Sequence, residues 1–272
     1  MTAKLPEAAR DAFGLDLAAK FMATVNTQGE PNIAPVITTY PWDDRTLIFG
    51  DFLMRKTKEN LLRQAEAPVS VSVMTLKYEA FEVRGRFLGF ETRGSKFDRI
   101  SNKDLFRYSA IGLLRGVGTI TVDQVNAMPM KKLGIALEWL TTRMAARRPK
   151  DLPVGASIHP VVRRKVGVLM GAKFLAVARG TFAEQFPVLC LQPAGKDYVV
   201  FRTKLVRDRR KSLKEGDRVA ISVFTLDPQA YQLKGEFAGY RRSRGFEVGL
   251  VRVTSVWTQV PPIPGAQITY RG

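Results

Sequence analysis

The amino-acid sequence predicts a mainly β fold, a β-barrel with flanking helices, that occurs twice in tandem. Three pairs of segments recur in the same order in the two halves of the 272-residue chain. Two pairs share one offset of 150 residues: residues 69–76 match residues 219–226, and residues 81–90 match residues 231–240. These segments alternate apolar and polar residues and are rich in β-branched and aromatic side chains, which is typical of strands. A repeat of this length has the size of a domain.

The repeat defines two predicted domains. Residues 1–150 would form the first barrel with a connecting helix, and residues 151–272 a second, degenerate barrel. The segment 147–155 between them has the Pro and Gly content of a linker. Two pairs of matched glycines support the alignment of the two halves: Gly85 matches Gly235, and Gly89 matches Gly239. Glycine inside a strand marks a bulge or a close backbone approach, so such positions are expected to recur in a repeated fold.

Each element of the first half has its own sequence signal. Residues 5–20 have the apolar spacing of a helix, with Pro6 near its start. Two strands joined by a Gly- and Pro-containing turn are predicted at residues 21–25 and 33–39. The prediction continues with a strand at Leu47, a helix from Thr57, strands at 69–76 and 80–90, a helix at 97–114 and a strand at 118–125. Closure into a small barrel would leave no exposed strand edge.

The connecting segment predicts a basic amphipathic helix. Four apolar side chains between residues 131 and 148 form a stripe opposite several lysines and arginines. The four are Leu133, Leu137, Leu140 and Met144. Such a helix can lie on a membrane or bind a partner. Packing of the apolar stripe against its own barrel is the commoner outcome, and it is the one we expect.

The composition limits the kinds of partner and the cellular location that we expect for this protein. The formal net charge of +18 favours anionic partners, such as nucleotide phosphates or nucleic acid. The single cysteine, Cys190, excludes a disulfide framework, fits a reducing cytosol and is predicted to be a small core residue. No signal segment or bilayer-spanning apolar run is present in the sequence. We therefore expect a cytoplasmic protein with no membrane partner.

We expect the functional site to lie in the segment from Leu47 to Leu61. An apolar strand ends at Gly50 and Asp51, and the hydroxyl of Thr57 is predicted to cap the following helix. Orphan backbone N–H groups, the helix dipole and the cations Arg55, Lys56 and Lys58 would together form an anion site. An ordinary helix start with solvated cations is the alternative interpretation.

Three motifs in the same order resemble the pyridoxamine 5′-phosphate oxidase-like family of FMN-binding split barrels. Residues 21–36 resemble the family's opening hairpin, residues 50–61 its phosphate-binding turn and helix, and residues 81–85 its long strand. The resemblance covers nearly all of residues 15–127 and, more weakly, residues 170–260. Family members are usually homodimers with flavin at the subunit interface. The resemblance therefore implies that two FMN-binding split β-barrels form an intrachain pseudo-dimer, or pair further with a second chain.

By that resemblance, the first barrel would hold FMN. Arg55 and Lys56 would bind the phosphate of the cofactor, with help from Thr57. The flavin and ribityl groups would contact residues of the second and third strands: Val36, Ile37, Thr38, Phe49, Gly50 and Asp51. The implied function is a flavoprotein oxidoreductase acting on a small-molecule substrate, with a nicotinamide as reductant. Flavin needs an apolar wall for its rings and cationic donors for its phosphate, and both residue types are present.

The sequence departs from the authentic oxidase of this family. Ala80 stands where that enzyme carries a glutamine, and the single histidine, His159, lies in the linker region. Pyridoxamine phosphate oxidation and haem degradation are therefore not predicted. No catalytic residue and no metal site are predicted, which suits a protein whose cofactor carries the redox chemistry.

The second half is predicted to lack a working site, and two alternatives stay open. Asp208, Arg209 and Ser212 stand where Lys56, Thr57 and Asn60 stand in the first half, and an aspartate there would repel a phosphate. One alternative is an FMN- or F420-binding electron carrier without its own substrate. The other is a nucleic-acid-binding protein that uses the basic segments 207–211 and 241–244. Neither segment contains an aromatic residue for base stacking, so no stable nucleic acid partner is expected.

Overall fold

The computed structural model describes residues 3–103, 114–128, 130, 134–202, 213–227, 229–261 and 263–270. Its strands form two separate antiparallel sheets, which confirms the mainly β class. The chain divides into two compact units. The first comprises Met1–Met128 with Gly180–Ala183, and the second comprises Pro129–Arg179 with Glu184–Gly272. The predicted domain boundary at residue 150 stays a prediction.

The first unit contains a seven-stranded sheet in the order β2-β1-β5-β6-β7-β4-β3. Its helices are α1 (Glu7–Gly14), α2 (Lys56–Leu62) and α3 (Ser95–Ser101). Its strands are β1 (Ala19–Val25), β2 (Pro31–Pro35), β3 (Thr39–Pro41), β4 (Thr46–Asp51), β5 (Ala67–Met74), β6 (Ala80–Glu91) and β7 (Gly116–Ala127).

The second unit repeats this arrangement. The order of its main path is β10-β11-β14-β13-β12-β8-β9, which is the order of the first sheet taken from its other end, and β15 pairs with β14. Its strands are β8 (Gly171–Arg179), β9 (Phe182–Pro187), β10 (Gln192–Ala194), β11 (Tyr198–Phe201), β12 (Arg218–Thr225), β13 (Ala230–Ser243), β14 (Phe246–Thr258) and β15 (Gln267–Ile268). Its described helices are α4 (Ile135–Ala145) and α5 (Pro160–Gly167). The shared strand order is consistent with a tandem duplication.

The matched glycines Gly85 and Gly235 are required for the same structural reason in both sheets. A Cβ at Gly85 would lie 1.8 Å from the carbonyl oxygen of Thr121, and a Cβ at Gly235 would lie 2.1 Å from that of Arg252. At both glycines the pairing register with the next strand shifts, which is the mark of a β-bulge. Only glycine fits such a close approach of two backbones, so the sequence repeat reflects a repeated bulge.

Each unit has a core centred on an aromatic ring that packs on a glycine. The ring of Phe49 contacts that of Phe87 at a centroid distance of 6.1 Å. A Cβ at Gly118 would lie 2.3 Å from Cζ of Phe49, and a Cβ at Gly249 would lie 2.8 Å from Cζ of Phe201. Phe49 and Phe201 are therefore equivalent core residues, both fully buried.

Several predicted elements differ from the structure. The second strand was predicted to continue to residue 39, but β2 ends at Pro35 and a turn follows. The edge strands β2 and β3 are not paired with each other, so within the described residues the first sheet does not close as predicted. The helix predicted at 97–114 is represented by α3, and residues 104–113 lie outside the described residues.

Helix α4 packs within the second unit through the face opposite to the one predicted. Leu137, Leu140 and Met144 are 66%, 50% and 46% exposed. The buried face consists of small and polar residues together with one isoleucine: Ile135, Glu138, Thr142 and Ala145. The indole N–H of Trp139 donates to the carbonyl of Gly167 at 2.9 Å and fixes this orientation. With eleven residues, α4 is the longest helix in the described part of the chain, and it is too short to cross a bilayer.

Candidate functional site

Helix α2 is held against the first hairpin by two buried hydrogen bonds between side chains. The amide of Asn32 on β2 donates to Thr57 Oγ1 at 2.9 Å. The amide of Asn60 donates to Thr24 Oγ1 on β1, also at 2.9 Å. Each such bond contributes about 1 kcal/mol to stability. They fix the start of α2, and with it the two cations of the predicted phosphate site, relative to β1 and β2.

The predicted helix cap is wrong. Helix α2 begins at Lys56, its N-cap residue is Arg55, and no side chain caps it. The hydroxyl of Thr57 accepts the bond from Asn32 instead, because this residue lies one position inside the helix and faces the hairpin. A hydroxyl that accepts one bond still has its own proton to donate.

A second pair of hydrogen bonds joins two predicted segments. Thr38 Oγ1 accepts from the backbone N–H of Gly50 and donates to the carbonyl of Gly50, both at 3.1 Å. Thr38 lies in the turn between β2 and β3, where the backbone N–H of Thr39 donates to the carbonyl of Val36. The predicted contact segments 36–38 and 49–51 are thus brought together, although the first is a turn and not a strand.

Asp51 and Lys58 form a partly buried ion pair. The carboxylate of Asp51 is fully buried, and Lys58 Nζ lies 2.6 Å from its Oδ2. The same carboxylate accepts from the backbone N–H of Met54 at 3.2 Å. The ammonium group of Lys58 also lies 5.0 Å from the centroid of the Phe90 ring. Lys58 was expected to face an anion, but it neutralises Asp51, since a buried carboxylate needs a partner.

Several predicted contact residues place their side chains away from solvent. Val36 and Phe49 belong to the hydrophobic core. A Cβ at Gly50 would meet the ring of Phe52 at 2.8 Å, so this glycine is covered. Ile37 is half-buried. The two segments therefore offer mainly backbone groups to a ligand, which sequence reasoning did not specify.

The cations at the start of α2 are accessible. Arg55 is exposed and forms no ion pair with any residue that the structure describes, and Lys56 is half-buried. Together with the hydroxyl of Thr57 they supply donors of the kind that bind phosphate oxygens. The buried negative charge nearby is compensated by Lys58, so it does not oppose an anion. The donor set of this edge therefore fits a phosphate group.

In the part of the chain that the structure describes, no metal-ligand cluster accompanies these donors. Over the described ranges, no three side chains of the His, Cys, Asp and Glu types come together as metal ligands. His159 is the N-cap residue of α5, where its Nδ1 accepts from the backbone N–H of Val161 at 3.2 Å. Cys190 is a buried turn residue, and burial raises the pKa of its thiol to about 12. The counterpart of the site in the second half, residues 208, 209 and 212, lies outside the described residues.

Sequence reasoning missed a polar cluster around Tyr40. Its hydroxyl donates to Asp16 Oδ1 at 2.9 Å, and Lys103 Nζ lies 3.1 Å from the same oxygen. Lys20 Nζ lies 4.0 Å from the centroid of the Tyr40 ring and donates to the carbonyl of Ile37 at 3.4 Å. Burial lowers the pKa of Lys20 to about 7 and, with Asp16, raises that of Tyr40. A lysine before the apolar part of the first strand in both halves was the available signal.

Comparison with known proteins gives similarity of fold alone. No family model and no curated protein matches the chain. It is similar to an FMN-binding protein from Syntrophomonas wolfei, with 20% identity and a TM-score of 0.40 over 46% of this chain and 87% of the other. A candidate pyridoxamine 5′-phosphate oxidase from Lactobacillus delbrueckii is 18% identical with a TM-score of 0.37, over 46% and 94% of the two chains. An F420 reductase is 21% identical with a TM-score of 0.34, over 45% and 98%.

Proposed function

We propose that this chain is a flavoprotein that binds FMN in its first unit and acts as an oxidoreductase on a small molecule. The observation that carries the proposal is the pair of hydrogen bonds between Thr38 and Gly50. They join the turn 36–38 to the end of β4, from which the chain passes directly to Arg55 and Lys56. The resemblance implied that these segments bind the flavin, ribityl and phosphate groups. They are therefore either hydrogen-bonded to each other or close together in the sequence.

Each group of residues has a separate role in the proposal. Arg55 and Lys56 bind the phosphate through charge-assisted hydrogen bonds, and the hydroxyl of Thr57 donates a third. The backbone of residues 36–38 and 49–51 lies against the flavin and ribityl groups. Asp51 and Lys58 hold the turn before α2 through their ion pair. When bound, FMN supplies the hydride or electron transfer, and the protein positions it.

The remaining parts of the proposal concern partners. A nicotinamide is the reductant or a small-molecule substrate docks on the flavin, and the two units act as a pseudo-dimer or associate with a second chain. The deazaflavin F420 is the alternative cofactor, because its anionic tail suits the same cations. An electron carrier without its own substrate is the alternative role. A nucleic-acid-binding role has the net charge of +18 in its favour.

An absorption spectrum tests the proposal directly. We expect the purified protein to carry FMN, or to take it up, with a flavin band near about 450 nm, the usual position for this cofactor. Titration with FMN and with F420 separates the two cofactors. A colourless protein that binds neither would overturn the proposal.

Substitution of Lys56 tests the phosphate site. A charge-assisted hydrogen bond of about 1.5–3 kcal/mol is lost in Lys56→Ala, so FMN affinity should fall roughly ten- to hundredfold. The exposed Lys77 in the β5–β6 turn provides a matched control, Lys77→Ala, which should leave affinity unchanged. Arg209→Ala in the second half should also have little effect. Two flavins per chain, or equal losses in Lys56→Ala and Arg209→Ala, would show that both halves bind cofactor.

A further inference from the structure

A groove in the second unit has the character of an anion site. It encloses about 900 Å³ between α4, α5 and β10. Among the described residues that line it there are three arginines, one tryptophan and no carboxylate. The four are Arg143, Arg163, Arg164 and Trp139. A concave space of this size is typical of a small-molecule site.

The three arginines lack charge partners in the described part of the chain. Arg143 Cζ lies 5.2 Å from the centroid of the Trp139 ring. Arg163 Nη1 donates only a long hydrogen bond, 3.5 Å, to the carbonyl of Gly195. None of the three forms an ion pair with a described residue. Three guanidinium groups around one groove repel one another, and a bound anion would relieve that repulsion.

The backbone carbonyl of Gly167 in the floor of the groove already has two donors. The carbonyl of Gly167 accepts from Trp139 Nε1 at 2.9 Å and from Gln192 Nε2 at 3.2 Å. Both lone pairs of this oxygen are therefore occupied. Gln192 is buried, so the floor is fixed by packing as well as by these bonds. The groove thus combines a rigid floor and an indole wall with a rim of cations.

We propose that this groove binds an organic phosphate of the nucleotide class. The guanidinium groups of Arg163 and Arg164 on α5, with Arg143 on α4, hold the phosphates. The indole of Trp139 and the neighbouring prolines, Pro160 and Pro193, contact the planar body of the ligand. A small molecule is favoured over nucleic acid because the arginines face a concave space between two helices. Through Arg143, the basic helix that the sequence predicted would take part in binding the phosphates.

Calorimetric titration of the FMN-treated protein with ADP and adenosine at about 0.15 M salt tests this proposal. We expect ADP to bind and adenosine to bind at least tenfold more weakly, because adenosine lacks phosphate. The double variant Arg163→Ala/Arg164→Ala should weaken ADP binding at least tenfold. The matched control, Arg242→Ala/Arg244→Asn, removes two exposed charges from the same unit and should leave ADP affinity unchanged. Circular dichroism checks that both variants are folded.

Four results would overturn the proposal. Equal losses in the two double variants would indicate general attraction of anions to a basic surface. Equal affinity for adenosine and ADP would exclude a phosphate site. Loss of ADP binding in Lys56→Ala would place ADP at the first-unit site. A single-stranded oligonucleotide that binds more tightly than ADP, and that depends on Arg163 and Arg164, would assign the groove to nucleic acid.

Discussion

The buried Lys173 makes the stability of the second unit depend on pH. It lies on β8 with no exposed surface, and its ammonium group donates to the carbonyls of Val168 and Leu189, the latter at 3.0 Å. Burial lowers the pKa of this group from 10.5 to about 7. The unfolded chain keeps the ordinary pKa of lysine, so between these two pKa values it binds up to one proton more than the folded protein.

The sign of the effect follows from that difference in bound protons. Stability rises with pH wherever the unfolded state binds more protons, at up to about 1.4 kcal/mol per pH unit for one proton. Between pH 7 and pH 8.5 the free energy of unfolding should therefore rise by roughly 1–2 kcal/mol from Lys173 alone. Lys20, whose pKa is also about 7, adds the same dependence in the first unit. Above pH 9 the raised pKa of Cys190 acts in the opposite direction, so the measurement stays below that value.

Urea denaturation at intervals between pH 6.5 and pH 8.5, followed by tryptophan fluorescence, measures the slope. We expect Lys173→Met to remove the rise in the second unit, because the variant has no group to titrate there. Lys196→Met, at an exposed lysine of the same unit, is the control and should retain the slope. A wild-type protein whose stability does not change between pH 7 and pH 8.5, or an unchanged slope in Lys173→Met, would refute the reasoning.

Two further predictions concern packing in the first unit. Gly85→Ala should lower the free energy of unfolding by about 1–3 kcal/mol, because its Cβ would meet the Thr121 carbonyl, whereas Gly14→Ala, with open space around it, should not. Thermal denaturation of the two variants measures the difference, and equal melting temperatures would contradict the close approach. Thr57→Val should cost about 1–2 kcal/mol through loss of the bond from Asn32, and Thr57→Ser should restore most of it. Equal stability of the Val and Ser variants would mean that the hydroxyl makes no net contribution.

The repeated strands were predictable because their signals are local. Alternation of apolar and polar residues depends on the pleat of a single strand, and it marked β5, β6, β12 and β13 without knowledge of their partners. The matched glycines were visible for the same reason, since a bulge needs glycine wherever it occurs. What the sequence did not supply was the carbonyl that each glycine approaches, Thr121 or Arg252, because that contact comes from another strand.

Features that depend on competition between partners were not predictable. Lys58 and Arg55 have the same charge and lie in the same segment, yet only Lys58 reaches the buried Asp51. The hydroxyl of Thr57 could either cap its own helix or accept a hydrogen bond from Asn32 on β2, and the structure has the bond from Asn32. The face that α4 buries was likewise decided by Trp139 and Gly167, not by its leucines.

The two repeats have diverged at an equivalent position that lies beside the groove in the second unit. Tyr40 on β3 pairs with the residue before Phe49, and Gln192 on β10 pairs with the residue before Phe201. Since Phe49 and Phe201 are equivalent, Tyr40 and Gln192 are equivalent too. In the first unit the hydroxyl of Tyr40 donates to Asp16, which follows α1, and the ammonium groups of Lys20 and Lys103 lie close to its ring. Gln192 is smaller than tyrosine and donates to the carbonyl of Gly167, at the end of α5, where it lines the groove together with three arginines.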